Sequence, residues 1–484
     1  MGRKFKLRWG RQAGYLVWSI LGLAAVLAGG WLVFSRLDFE DPWIALKTPV
    51  QVLGAKTTVD LEAGDKSSGL KEVRVTLTQD GQEKVVLERA LPPGGLPGET
   101  VELKAVIEPK ALGFNEGRAS LSATVRDRSW RNWFKGRSQT LTQEVTIDLV
   151  PLTVAFQSMS HLLHCGGVGV ISCRTNKAPA VSGLMLGDRL YKGFPNPKGG
   201  ANEYVVLFPV PQEAQGPAAA DLVARPAAGQ EVKQRLSLNL RPRKWRHDNM
   251  NLSDDFLRKV AASFPVANPH DPLAAYLEVN REMLVKNHAR VRQVCQDSQP
   301  GPLWAGAFFR YEGKPMARFG DRRSYIYQGK VVDQQIHLGE DLADKERTNV
   351  PAGNNGIVVM AEPMGIYGQS VVLDHGLGVF SMYSHLSQID VQVGDKVNRG
   401  VSLGRTGVTG LAAGDHLHFS MMVQGDFVDP REWWDARWLK DQVELVWAGA
   451  AVPASAAQAA APAKAKGKGK AAAKGAKSGK KKKR

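Results

Sequence analysis

Apolar residues in this chain recur mostly at every second position, and that period constrains the fold more than any other feature. In EVRVTLTQDGQEKVVLE, residues 72–88, Val73, Val75 and Leu77 fall on one face, Asp80-Gly81 supplies a reversal, and a second strand follows. Period two sends alternate side chains to opposite faces of a pleated strand, and Asp-Gly tolerates the positive φ of a two-residue hairpin turn. TVELKAVIE (100–108) and ASLSATVRD (119–127) repeat the pattern. Residues 44–150 therefore read as a small immunoglobulin-like β-sandwich. Residues 151–248, with the loops GFPNPKGG and ARPAAGQ, read as a second β-rich module.

The period changes after residue 252. Ser253 followed by Asp254 and Asp255 suits a helix start, because the hydroxyl caps exposed N–H groups and carboxylates favour the positive end of the dipole. Asp271-Pro272 is a second start, with proline at the first helical position. Leu273, Leu277, Leu284, Val291 and Cys295 then recur at three, four or seven residue steps or their sums. That stripe predicts a helical segment over 253–298 that braces the following domain. Residues 300–440 return to strands and glycine turns.

The formal net charge of +17 suggests a nucleic-acid binder until it is located. Residues 1–11 carry five positive charges and residues 464–484 carry eleven, which leaves the remainder close to neutral at +1. A basic groove on a folded domain is not required by such a distribution. Residues 13–35 hold no charged residue in 23 positions, enough helix to cross a bilayer core of about 30 Å. With Arg3, Lys4, Lys6, Arg8 and Arg11 before it, this segment reads as an uncleaved transmembrane anchor, residues 1–12 being a cytoplasmic basic tail and the rest exported. A cleaved signal peptide is the alternative, since AVLAGG offers small residues to a peptidase. Residues 447–484, without aromatic or acidic side chains past Trp447, are expected to be a disordered Ala/Lys-rich tail with loose attraction to anionic polymer or lipid headgroups and no specific nucleic acid.

Cys165, Cys173 and Cys295 do not make a disulfide framework. A bridge between Cys165 and Cys173 needs the chain to reverse, at Gly166 and Gly167.

The chemistry concentrates in a few histidines. In GDHLHFSMM, residues 414–422, Leu417, Phe419 and Met421 alternate with His416, His418 and Ser420, so both imidazoles project from one strand face. Upstream, QQIHLGEDLAD places His337 and Asp341 four residues apart with Gly339 between them. His337, Asp341 and His418 form a nitrogen and oxygen donor set suited to zinc, and three protein ligands leave the open position of a catalytic site. Water there would have its pKa brought from 15.7 to about 7. A hydrolase also needs proton transfer, for which His416 and His385, the latter in MYSHLS, are the candidates.

These residues in this order resemble the lysostaphin-type (LytM-like) zinc endopeptidases that cut peptidoglycan peptides. The resemblance implies His337, Asp341 and His418 as zinc ligands and His385 and His416 as the catalytic pair. It covers roughly residues 330–430, and Asp415 departs from it where many members have proline. With the readings of the other segments, the chain is expected to be mainly β: an N-terminal transmembrane helix, two β-sandwich-like modules, a short helical segment, and a C-terminal antiparallel-β zinc peptidase domain over 300–440. The expected protein is an endopeptidase of the inner (cytoplasmic) membrane with a periplasmic catalytic domain and a peptidoglycan peptide as substrate. The alternative is a catalytically silent LytM-like regulator that binds and activates cell-wall amidases; the full donor set argues against it. VGDKVNRGVSLG has the hairpin chemistry of a lipoyl- or biotinyl-type carrier, but Lys396 does not stand at a fitting tip. His375 in LDHGLG reads as structural or solvent-exposed at a turn, and His161, His164, His247, His270 and His288 receive no role.

Overall fold

The computed structural model describes residues 11–36, 40–92, 100–213 and 216–449, so the expectations for the basic N-terminus and the lysine-rich tail lie outside the described residues. Arg11–Arg36 is a helix of 26 residues, whose side chains are described at 18–31. Among the described residues no helix is long and apolar enough to cross a membrane. The transmembrane anchor expected over residues 13–35 is not supported among the described residues.

The chain divides into two units, residues 1–153, 176–181 and 224–232 forming the first. In it, a three-stranded sheet orders Trp43–Leu46, Thr57–Gly64 and Thr100–Ile107. A five-stranded sheet orders Val52–Leu53, Ser138–Ile147, Gly117–Asp127, Leu70–Gln79 and Gln82–Ala90. The alternation read from the sequence is the packing. Val73, Val75, Leu77, Leu121 and Val125 face inward into one cluster with Val59, Leu61 and Leu103. Asp80 and Gly81 take φ of 49° and 80°, the left-handed pair that matches the twist of the flanking strands.

The second unit holds the remaining residues. Its central sheet runs Lys314–Ala317, Glu340–Ala343, Leu417–Val423, Val379–Leu386, Gln369–Gly376, Gly356–Pro363 and Lys396–Val397, with Asp426–Val428 paired to Leu417–Val423. Every pairing in it is antiparallel. Both faces are covered, and different residues of one strand serve each. Leu417, Phe419, Met421 and Val423 join a cluster with Trp433, Trp447 and, from the strands Val168–Thr175 and Glu203–Pro209, Val168, Val170, Val205 and Leu207. Met422 turns to the opposite face, with Val291, Cys295, Met360 and Phe380. Odd residues thus hold the strand to one core, and even residues are left for the other face, where the site lies.

The helical segment forms as its caps predict. Ser253 Oγ accepts from Phe256 N ahead of Asp254–Ser263, and the Asp271 carboxylate accepts from Ala274 N ahead of Pro272–Glu278. A π-helical turn, Val279–Met283, leads into Leu284–Val294, whose Val291, together with Cys295 just beyond it, packs on the sheet. A second sheet orders His247–Asn251, Arg322–Tyr327 and Lys330–Ile336. Cys165, Cys173 and Cys295 are buried, and no disulfide joins any of them.

Candidate metal centre

Sheet register brings the donors together. Asp341 and His418 are direct cross-strand partners, so their side chains leave the same face side by side. His337 stands just before the Asp341 strand. Gly339 between them does not need a positive φ; it is required because a Cβ there would meet His418 Nε2 at 2.6 Å and Phe419 O at 2.7 Å. His337 Nε2 lies 3.0 Å from Asp341 Oδ1 and 3.1 Å from His418 Nδ1, and His418 Nδ1 lies 2.8 Å from Asp341 Oδ1. Among the described residues they are the one group of three or more His, Cys, Asp or Glu side chains placed to hold a metal ion.

Neighbouring groups decide which nitrogens face inward. His337 Nδ1 donates to the carbonyl of Arg318 at 3.0 Å. His418 Nε2 donates at 2.9 Å to Ser420 Oγ, whose own proton goes to the carbonyl of Leu338 at 2.8 Å. Both inward nitrogens are therefore lone pairs aimed at the point where a carboxylate oxygen also points. Three electron-pair donors converging without a proton between them fit a cation, and nitrogen and carboxylate ligands in a buried site fit zinc. Burial alone would raise the Asp341 carboxyl, but the surrounding imidazoles of His337, His416 and His418 outweigh it and hold the group well below the usual carboxylate range. Burial pushes His418 down to about 4, leaving it neutral, as a ligand must be.

The two catalytic candidates stand beside the donors. The ring of His385 is 4.8 Å from that of His416 and 5.8 Å from that of His418. His416 Nδ1 donates to Gly414 O, and His385 Nδ1 to Thr409 O, each at 2.8 Å, which leaves both Nε2 atoms available. His416 Nε2 lies 3.6 Å from Asp341 Oδ1. Burial would lower His416, but the carboxylate of Asp341 prevails and raises it. Burial, reinforced by His416 and His418, pushes His385 down to about 3. His385 has φ of 61°, a conformation disfavoured for a side chain with a Cβ. Strict alternation would send it to the apolar face with Tyr383; the left-handed φ breaks the alternation at this residue.

Other parts of the site carried little or no sequence signal. Arg323 Nη2 donates to Asp341 Oδ2 at 3.0 Å, occupying the oxygen that does not face the other donors. It comes from a different sheet, and nothing in its spacing announces that contact. Ser420 was legible in principle, two residues beyond His418 on the same face. The cavity over the donors, about 430 Å³, is walled on one side by Phe256, Tyr276 and Leu284, so the helical segment lines the groove as well as bracing the sheet. His375 is fully buried, bonded to Asn355 O at 2.6 Å and Ser381 Oγ at 2.7 Å, and is structural.

Residues 335–430 match Peptidase family M23, and the chain carries a peptidase domain of that family. It is 30% identical over 160 residues to peptidoglycan DD-endopeptidase ShyA of Vibrio cholerae, covering 33% of this chain and 34% of that protein. It is 34% identical over 96 residues to DD-carboxypeptidase/endopeptidase Mpg of Neisseria meningitidis serogroup B, covering 20% and 22% respectively. It is also 30% identical over 127 residues to murein hydrolase activator EnvC of Escherichia coli, covering 26% and 28%. The chain thus spans about a third or less of the length of these relatives.

Proposed function

We propose that this protein is a zinc-dependent endopeptidase that hydrolyses peptidoglycan cross-link peptides at the cell envelope. The observation that carries the reading is the convergence of His337 Nε2, Asp341 Oδ1 and His418 Nδ1, with His416 Nε2 3.6 Å from Asp341 Oδ1 and the His385 ring 4.8 Å from that of His416. A zinc ion held by these donors would supply Lewis acidity toward a scissile carbonyl and make water acidic enough to ionise at neutral pH. His416, fixed through Nδ1, accepts a proton at Nε2 from the attacking water and returns it to the leaving amine. His385, neutral with its ring proton on Nδ1, presents a lone pair at Nε2 that accepts a hydrogen bond from the attacking water or the leaving amine and orients it. The groove walls hold the peptide and exclude bulk water around these groups.

Mass spectrometry of cross-linked muropeptides incubated with the zinc-loaded protein, beside a chelated control, tests the proposal. Cleaved cross-links in the first sample alone are expected, and intact cross-links in both would end the reading. The relative named as a murein hydrolase activator supports a second reading, a non-enzymatic activator. Bound zinc with turnover favours the peptidase, and amidase stimulation without turnover favours the activator. We also propose that residues 13–35 anchor the chain in the inner membrane with the catalytic domain periplasmic. The uncharged run behind five basic residues supports it. An alkaline phosphatase fusion at the C-terminus should be active, and an inactive fusion beside an active cytoplasmic reporter at the same point reverses the topology.

A further inference from the structure

A second cavity of about 510 Å³ adjoins the metal groove, and its lining is strongly basic: Arg243, Lys244, Arg246, Arg318 and Arg431, around the ring of Trp245. Met316 lines both cavities. The same residue that contributes a side chain here, Arg318, accepts the Nδ1 proton of metal donor His337 on its carbonyl, at 3.0 Å. Arg318 thus belongs to a backbone turn, residues 318–321, that touches a metal donor directly.

Part of this charge is already balanced. Arg243 and Arg431 bond the buried Asp429, and Arg246 reaches Asp321 at 2.6 Å and Asp248 at 2.5 Å. Lys244 and Arg318 are exposed, and no ion pair engages either among the described residues. The wall is fixed. Trp245 carries Arg243 at 5.5 Å and Arg322 at 5.7 Å from its ring, and it lies so close to Gly320 that a Cβ there would fall 2.1 Å from the indole. Lys244, together with Arg318, whose charge reaches the Glu340 carboxyl without a direct ion pair, leaves a cationic rim on a rigid aromatic wall, and such a rim attracts an anion. Guanidinium and ammonium donors together suit a carboxylate.

We propose that this cavity is the acidic subsite of the substrate groove, holding a free carboxylate of the same peptide whose amide lies at the metal donors, with Lys244 and Arg318 as its specificity-determining residues. This rests on the endopeptidase reading, and it names the substrate class more closely: acidic peptides.

The test measures binding and cleavage separately on the zinc-loaded full chain, with Trp fluorescence and calorimetry reporting binding. The probes are a disaccharide tetrapeptide with free carboxylates, its carboxyl-amidated counterpart, and inorganic phosphate. The free-carboxylate probe is expected to bind about tenfold more tightly than the amidated one, equivalent to about 1.4 kcal/mol. Lys244→Glu/Arg318→Glu should abolish that preference and raise KM on cross-linked muropeptides about tenfold with kcat little changed. Lys244→Arg/Arg318→Lys should restore the preference, which a merely structural role would not do. Equal binding of the two tetrapeptides, a preference that survives charge reversal, or phosphate binding as tightly as the free-carboxylate probe would each overturn the subsite. Retained preference in the wild type with no cleavage of any muropeptide would sink the endopeptidase reading and leave the carboxylate subsite standing.

Discussion

At the scale of single residues, the proposed separation of holding a metal from moving protons rests on how each imidazole is tied, although the side chains involved are neighbours on one strand. His418 presents Nδ1 to the donor point because Ser420 accepts its Nε2 proton, whereas His416 has its Nδ1 tied to Gly414 O and its Nε2 3.6 Å from Asp341 Oδ1. His418→Ala should leave the protein without stoichiometric zinc by metal analysis. His416→Ala should retain zinc while cleavage falls about 10²- to 10⁴-fold, the usual worth of a positioned acid or base. Ser420→Ala removes the group that selects the His418 tautomer, and zinc titration should show affinity about 10- to 100-fold weaker. Gly339 tolerates no side chain, since a Cβ would meet His418 at 2.6 Å. Gly339→Ala should therefore lower zinc affinity without touching any donor.

At the scale of elements, the strand Leu417–Val423 serves two masters. Its odd residues join one apolar cluster, and Met422 joins another. A one-residue slip would exchange the two sets, so the hydrophobic register that holds the sheet also aims the imidazoles. The helices depend on their caps: Ser253→Ala should cost about 1 kcal/mol, read as faster amide exchange within Asp254–Ser263. Val291 is fully buried against the sheet, and Val291→Ala should cost about 1–3 kcal/mol by denaturant unfolding. The alternation at residues 72–88 and the two helix caps were legible because each depends on near neighbours in the chain. The left-handed φ of His385 was not, because it follows from the strands on either side.

At the scale of the whole molecule, one buried acid ties parts of the second unit together. Glu432 Oε2 accepts from Val168 N at 2.8 Å, and a Cβ at Gly167 would lie 2.1 Å from Oε1. Burial, aided by Asp429, pushes its carboxyl up to about 8. The folded state therefore holds this proton more tightly than the unfolded chain, whose glutamates titrate near 4.3, and stability must fall as pH rises between those values. Thermal unfolding should show Glu432→Gln flattening that part of the pH profile by about 1–3 kcal/mol, with no change in slope below pH 4. Period-two alternation made the β class legible, and His337, Asp341, His385, His416 and His418 in this order carried the resemblance on which the proposed chemistry rests, because donor identity is a property of residue types. The sequence by itself determined these things and the helix caps. The tertiary structure alone decided that Asp341 and His418 pair across strands, that Arg323 reaches the second oxygen of Asp341, and that a basic cavity opens beside His337. Those contacts join residues distant along the chain, and only the register and packing of separate sheets bring them within hydrogen-bonding distance.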